Sequence, residues 1–192
     1  AITETLGTLT VTTNATAAVK LIAADAEKVY DGSALTKTDG VTWEGLPTGF
    51  TVEASSTGSQ TDAGESANVV NDGYVIKDGN GVDQTANFTN VTKVPGTLKV
   101  TKAPVTITTG DAEKEYDGTA LTNAEAGITG LVNGETATVT ATGSQTEVGS
   151  STNTYSIDWG TTDSNNYAIT ETLGTLTVTT NATAAVKLIA AD

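Results

Sequence analysis

The chain has 192 residues, 23 acidic against 9 basic, for a formal net charge of −14, and it lacks histidine, cysteine and methionine. That charge argues against a nucleic-acid interface, which needs clustered lysine and arginine to meet phosphates. The missing residue types rule out disulfides and thiolate zinc sites, and remove imidazole ligands and Ser-His or Cys-His nucleophile pairs.

The first twenty-five residues, Ala1 to Asp25, recur unchanged as Ala168 to Asp192, a shift of 167 residues. Self-similarity at a fixed period is the mark of a repeat architecture, and the expectation is a window on a longer tandem array. Within the period, Ala18–Thr36 matches Pro104–Thr122, Gly45–Gly64 matches Gly130–Gly149, and Asn87–Thr101 matches Asn166–Thr179. The division expected is 1–16 as the end of a preceding B module, 17–102 as module A, 103–180 as module B, and 181–192 as the start of another A. Module A is longer, mainly between Asp72 and Thr85.

Along each module the residues read as short strands. Threonine, valine and isoleucine suit a pleated surface and lose rotamer freedom in a helix. Val105 and Ile107 alternate with threonines, as do Leu176 and Val178, and more weakly Ala137 and Val139, which is the period of a strand with one buried face. Asp31-Gly32, Asp72-Gly73, Asp117-Gly118 and Asn133-Gly134 mark turns. Thr122 to Gly127 is the one place where a helical turn is expected. The fold class is therefore mainly β, in tandem small modules with at most one short helical turn each. The A-to-B connection (Val100–Pro104) carries a stiffening proline, whereas the B-to-A connection (Thr179–Ala185) is longer and has none. No apolar run approaches the length that crosses a bilayer, and no signal peptide is visible.

The most specific string is Asp-Ala-Glu-Lys-x-Tyr-Asp-Gly-[Ser/Thr]-Ala-Leu-Thr, at 25–36 and again at 111–122. Gly-Leu follows, then Thr-Gly-Ser-Gln-Thr, then Asn-Phe or Asn-Tyr, then Gly-Thr-Leu-x-Val-Thr. This order, with Tyr30, Asp31, Gly32 and Tyr116, Asp117, Gly118 at its centre, resembles the Tyr-Asp-Gly type of MBG repeat module found in tandem on bacterial surface adhesins. The resemblance implies a small elongated β module, β-grasp-like or immunoglobulin-like, of the kind that makes stalks of cell-wall-anchored proteins. By residue chemistry alone, Tyr30 and Tyr116 each end a strand before an Asp-Gly turn, with rings suited to a core or to stacking on a glycan. Trp43 aligns with Ile128 and is expected in the core, Trp159 nearer the surface.

Three kinds of site are candidates. Asp78, Asn80 and Asp83 interleave oxygen side chains with glycines and could wrap Ca²⁺, the one cofactor the residues suggest; Asp158, Asp163, Asn165 and Asn166 form a second oxygen cluster. Lys28 with Asn87 and Lys114 with Asn166 are candidate isopeptide pairs, since a buried lysine loses proton affinity and becomes nucleophilic. No catalytic residue stands out and no enzyme is expected. The function expected is a stalk repeat of an extracellular bacterial surface protein, with neighbouring repeats as partners and neither nucleic acid nor membrane insertion. The alternatives are weak multivalent binding of mucin-type glycan or host protein, and a filament subunit joined through an edge strand such as Gly174 to Thr179.

Overall fold

The computed structural model describes residues 7–16 and 18–183. The chain forms two compact units, Ala1–Val29 with Ser33–Thr101, and Tyr30–Gly32 with Lys102–Asp192. Among the described residues each unit is built from short strands and a single 3₁₀ turn, so the chain is mainly β.

The first unit holds β1 (Val19–Ile22), β2 (Ala26–Val29), β3 (Thr42–Glu44), β4 (Thr51–Glu53), β5 (Ser56–Thr57), β6 (Gly64–Val70), β7 (Val75–Lys77), β8 (Val91–Val94) and β9 (Gly96–Thr101). They pair as β3-β1-β8, β2-β9-β6-β5 and β4-β7. Two pairings are parallel: β1 with β8 (Val19 opposite Val91) and β2 with β9 (Ala26 opposite Leu98). Val19, Leu21 and Ala23 point inward with Val70, Ile76 and Phe88, and Phe50 packs its ring edge against Phe88 at 5.4 Å between centroids. Burial of one such aliphatic side chain stabilises by about 1.5–3 kcal/mol.

The second unit repeats the plan with β10 (Ala103–Thr109), β11 (Ala112–Glu115), β12 (Ala126–Thr129), β13 (Thr138–Ala141), β14 (Gly149–Thr152), β15 (Tyr155–Asp158), β16 (Tyr167–Thr172) and β17 (Thr175–Thr179). The orders are β12-β10-β16, β11-β17-β14 and β13-β15. Again the first strands run parallel to the last: β10 with β16, and β11 with β17. β10 shows why the threonine alternation works, burying Ala103, Val105, Ile107 and Thr109 while Pro104 and Thr108 face solvent.

Three expectations need correction. The 3₁₀ turns lie at Thr85–Asn87 and Ser164–Asn166, not at 122–127. There Asn123 accepts the Glu125 amide at 2.9 Å and donates to Asp111 O at 2.8 Å, fixing an extended entry into β12. Trp43 is 39% exposed, because β3 is an edge strand that leaves all three of its residues open to solvent, whereas Trp159 is the half-buried indole. Gly174 to Thr179 is not an edge: β17 is the middle strand between β11 and β14. No helix among the described residues is long and apolar enough to cross a membrane. Of the longer B-to-A connection, Ala184 and Ala185 lie outside the described residues.

Candidate functional site

The two Tyr-Asp-Gly turns are braced by the lysine two residues before the tyrosine. Tyr116 continues β11, donating its amide to Thr179 O at 2.9 Å. Asp117 Oδ1 then accepts from Lys114 Nζ (2.8 Å), Thr119 N (2.9 Å) and Thr119 Oγ1 (2.8 Å), while Lys114 also donates to Thr119 O at 2.6 Å. The lysine bond first, and then the Thr119 amide, hold the Asp117 carboxyl well below the usual carboxylate range. Lys28 does the same work, donating to the Ser33 carbonyl and, at 2.9 Å, to its hydroxyl. Asn87 donates to Gln84 Oε1 at 2.6 Å, and Asn166 is buried with its amide on Asp163 O. These bonds brace turns.

The oxygen clusters are similarly turned toward their own backbone. Asp78 Oδ1 accepts the amides of Asn80 (2.9 Å) and Val82 (3.0 Å), and Oδ2 accepts from Gln84 Nε2 (3.1 Å). The Val82 amide is the main cause that lowers the Asp78 pKa. Asp83 accepts the Thr85 amide at 2.8 Å, the leading cause of its own lowered pKa. Asp158 caps Gly160, and Asp163 caps Asn165, each at 2.9 Å. Among the described residues no three acidic side chains converge as a metal would need. An oxygen that already faces amide donors is a poor ligand for a cation, so these residues brace turns.

The second unit gathers a different set. Tyr30–Gly32, although flanked in sequence by first-unit residues, groups here. Tyr30 donates its hydroxyl to Glu135 Oε1 at 2.5 Å, and Tyr167 donates to Oε2 of the same carboxylate at 2.8 Å. The two rings meet edge to face, 5.7 Å apart at 84°, and Trp159 stacks on Tyr167 at 5.7 Å and 19°. Glu135 is aimed by the turn before it, where Asn133 and Gly134 both adopt positive φ (54° and 71°) and Glu135 N closes on Val132 O. Gly32 lies so close that a Cβ there would meet the Asn133 amide nitrogen at 2.4 Å. The equivalent positions of the first unit hold Phe50 and Phe88, an apolar version of the same contact.

Both phenols are buried, so neither ring offers a face for a glycan to stack on. The bond to Glu135, then burial, push the Tyr30 pKa from 10.0 up to about 12. Burial chiefly, with Glu135 second, raises Tyr167, and the bond to Glu171 raises Tyr155. A raised phenol pKa contributes stability that is fully present below the unfolded value of 10.0 and is lost as pH rises through the folded one. The second unit is therefore expected to lose structure between pH 10 and about 12, with ionisation of Tyr30 and Tyr167 delayed until it does. Phenolate absorbance and far-ultraviolet circular dichroism recorded together check this. Titration of Tyr30 and Tyr167 near pH 10 with structure retained would contradict it.

The residues that sequence reasoning missed are Asn68 and Asn153, both fully buried. Asn68 Nδ2 donates to Ala24 O (2.9 Å), Lys37 O (2.8 Å) and Ser56 Oγ (3.1 Å); Asn153 Nδ2 donates to Gly110 O and Asn123 O, each at 3.0 Å. In each unit one amide thus ties together loops that no strand pairs. Their Oδ1 atoms are buried without a protein partner. The signal was present in the sequence: a glycine stands four residues before each asparagine, in Gly64-Glu-Ser-Ala-Asn68 and Gly149-Ser-Ser-Thr-Asn153.

The repeated strings converge around this amide. Leu35 and Gln60 exchange backbone hydrogen bonds at 2.8 and 3.1 Å, as do Leu121 and Gln145 at 2.8 and 3.0 Å, so the Ala-Leu-Thr string docks on Gly-Ser-Gln. The glycine of Thr-Gly-Ser-Gln-Thr is demanded by close approach: a Cβ at Gly143 would lie 2.5 Å from Asn153 Oδ1. A comparison with curated proteins finds no match. Residues 105–177, from within β10 to within β17, match the MBG domain (YGX type) family, which is consistent with an MBG-like module there.

Proposed function

We propose that the chain is a structural repeat of an extracellular bacterial surface protein, serving as a length of stalk or fibre shaft. The observation that carries this reading is that the repeated motifs are consumed inside the fold. Lys114 and Asp117 brace a turn, Gln60 and Gln145 join loops, and Tyr30 and Tyr167 bury their rings on Glu135. Residues repeated for module construction leave no shared site to be repeated for catalysis, and none is assigned. The match to the MBG domain (YGX type) family supports a repeat-type domain of a surface protein. Reach then scales with the number of modules, each holding its own core.

The test is small-angle X-ray scattering on proteins carrying one, two and three copies of the 167-residue period. The largest dimension is expected to rise by a constant increment per copy; a dimension that grows only as a compact globule would overturn the reading. A second reading, weak multivalent binding to mucin-type glycan or host protein, is favoured by the exposed Trp43 indole on β3. It predicts glycan-array binding that rises with copy number and disappears in Trp43→Ala.

A further inference from the structure

The sequence has two Asn-Gly steps, Asn80-Gly81 in the first unit and Asn133-Gly134 in the second. Both lie in exposed turns, and a glycine after asparagine has no Cβ to hinder its amide from reaching the asparagine side chain. The two turns treat that amide differently. Gly81 N donates to Asp78 O at 2.9 Å, and Asp78 Oδ1 also accepts the amides of Asn80 (2.9 Å) and Val82 (3.0 Å). Gly134 N has no protein acceptor among the described residues; its turn is closed one residue later, by Glu135 N on Val132 O at 2.9 Å.

Asn133 is also the only residue other than glycine with positive φ (54°) among the described residues, a backbone conformation that side chains disfavour. The second unit depends on what this turn presents. Glu135 accepts the hydroxyls of both Tyr30 and Tyr167. The Asn133 side chain itself lies against Gly32, where an added Cβ would come within 2.6 Å of Asn133 Cγ.

We propose that Asn133 is a self-modification site, at which the chain deamidates to aspartate or isoaspartate and so loosens the Glu135 seat of Tyr30 and Tyr167. Gly134 N, giving its proton to solvent, attacks Asn133 Cγ. The new C–N bond closes a cyclic imide, the Cγ–Nδ2 bond breaks, and ammonia leaves. Water then opens the imide at either carbonyl, so the net change is amide plus water to acid plus ammonia, with nothing oxidised or reduced. Aspartate brings a second negative charge close in sequence to Glu135, and isoaspartate lengthens the backbone inside the turn by a carbon atom. In the other turn the bond to Asp78 O holds the Gly81 proton, and Asn80 is spared. This inference goes beyond the stalk reading and does not rest on it.

The test is to incubate the full-length chain at mildly alkaline pH and follow positions 80 and 133 over time by peptide mass mapping. Conversion at Asn133 is expected to outrun that at Asn80 by about tenfold, the rate equivalent of one hydrogen bond. In concentrated urea, where both turns are open, the two rates should draw level. Converted chain, separated by its added charge on an anion exchanger, should unfold at lower urea than fresh chain. Asn133→Gly keeps the positive φ but has no side-chain amide, so it should hold its urea midpoint through the same incubation. Conversion at Asn80 as fast as at Asn133 in the folded chain, or the same ratio of rates in urea, would overturn the proposal. So would converted chain with the midpoint of fresh chain, or Asn133→Gly chain that loses its midpoint as the parent does.

Discussion

Asn153→Asp is expected to destabilise the second unit by about 4 kcal/mol, a cost typical of an uncompensated buried charge and most of what a small module has to spend. The substitution keeps the shape of the side chain and reverses its chemistry. Nδ2 donates to Gly110 O and Asn123 O at 3.0 Å each; a carboxylate there would present an acceptor to two acceptors, in a site with no solvent exposure. The deficit should shrink as pH falls toward the ordinary carboxyl value of ~3.9, because protonation removes the buried charge and supplies a donor. Urea denaturation of the variant at neutral and acid pH measures both effects. A loss below about 1 kcal/mol at neutral pH would show that the loop carbonyls are satisfied some other way. Asn68→Asp makes the same prediction for the first unit, where three acceptors are at stake.

The second large effect is expected from Glu135→Ala. Tyr30 and Tyr167 are both buried and both donate to this carboxylate, so its removal strands two hydroxyls at about 1–3 kcal/mol each. A loss of about 3 kcal/mol in the second unit is expected, with the Tyr30 pKa falling back from about 12 because its leading cause is gone. Glu135→Gln keeps an acceptor for one phenol and a donor for the other's oxygen, so it should cost about 1 kcal/mol. An alanine variant as stable as the parent, with an unchanged tyrosine titration, would remove the carboxylate from the account.

Much of the strand content was legible because β-branched alternation is local. Val105 and Ile107 lie in β10, and Leu176 and Val178 in β17, with the buried faces the alternation implies. Strand order was not legible. The parallel pairings of β1 with β8 and of β10 with β16 join residues more than sixty positions apart, and no local pattern encodes them. The same limit explains Trp43: its alignment with Ile128 was sound, and both oppose an inward residue of the neighbouring strand (Leu21 and Ile107), but β3 leaves the larger ring at an open edge. It explains the aromatic cluster too, since Tyr30 and Glu135 are 105 positions apart. The oxygen-rich loop around Asp78 had the composition of a cation site, but composition does not say that its carboxylates would turn inward to amides.

The parallel pairing of first and last strands has a mechanical consequence. Tension on the second unit enters at Ala103 on β10 and leaves at Thr179 on β17. β10 runs parallel to β16 over six paired residues, and β11 parallel to β17 over four. A pull on those two ends slides the paired strands lengthwise past one another, so the hydrogen bonds of both ladders are loaded together. An antiparallel terminal pair would open one bond at a time. The first unit carries the same parallel ladders, β1 on β8 and β2 on β9. A lengthwise pull on either unit is thus met by shear of its parallel ladders and not by peeling.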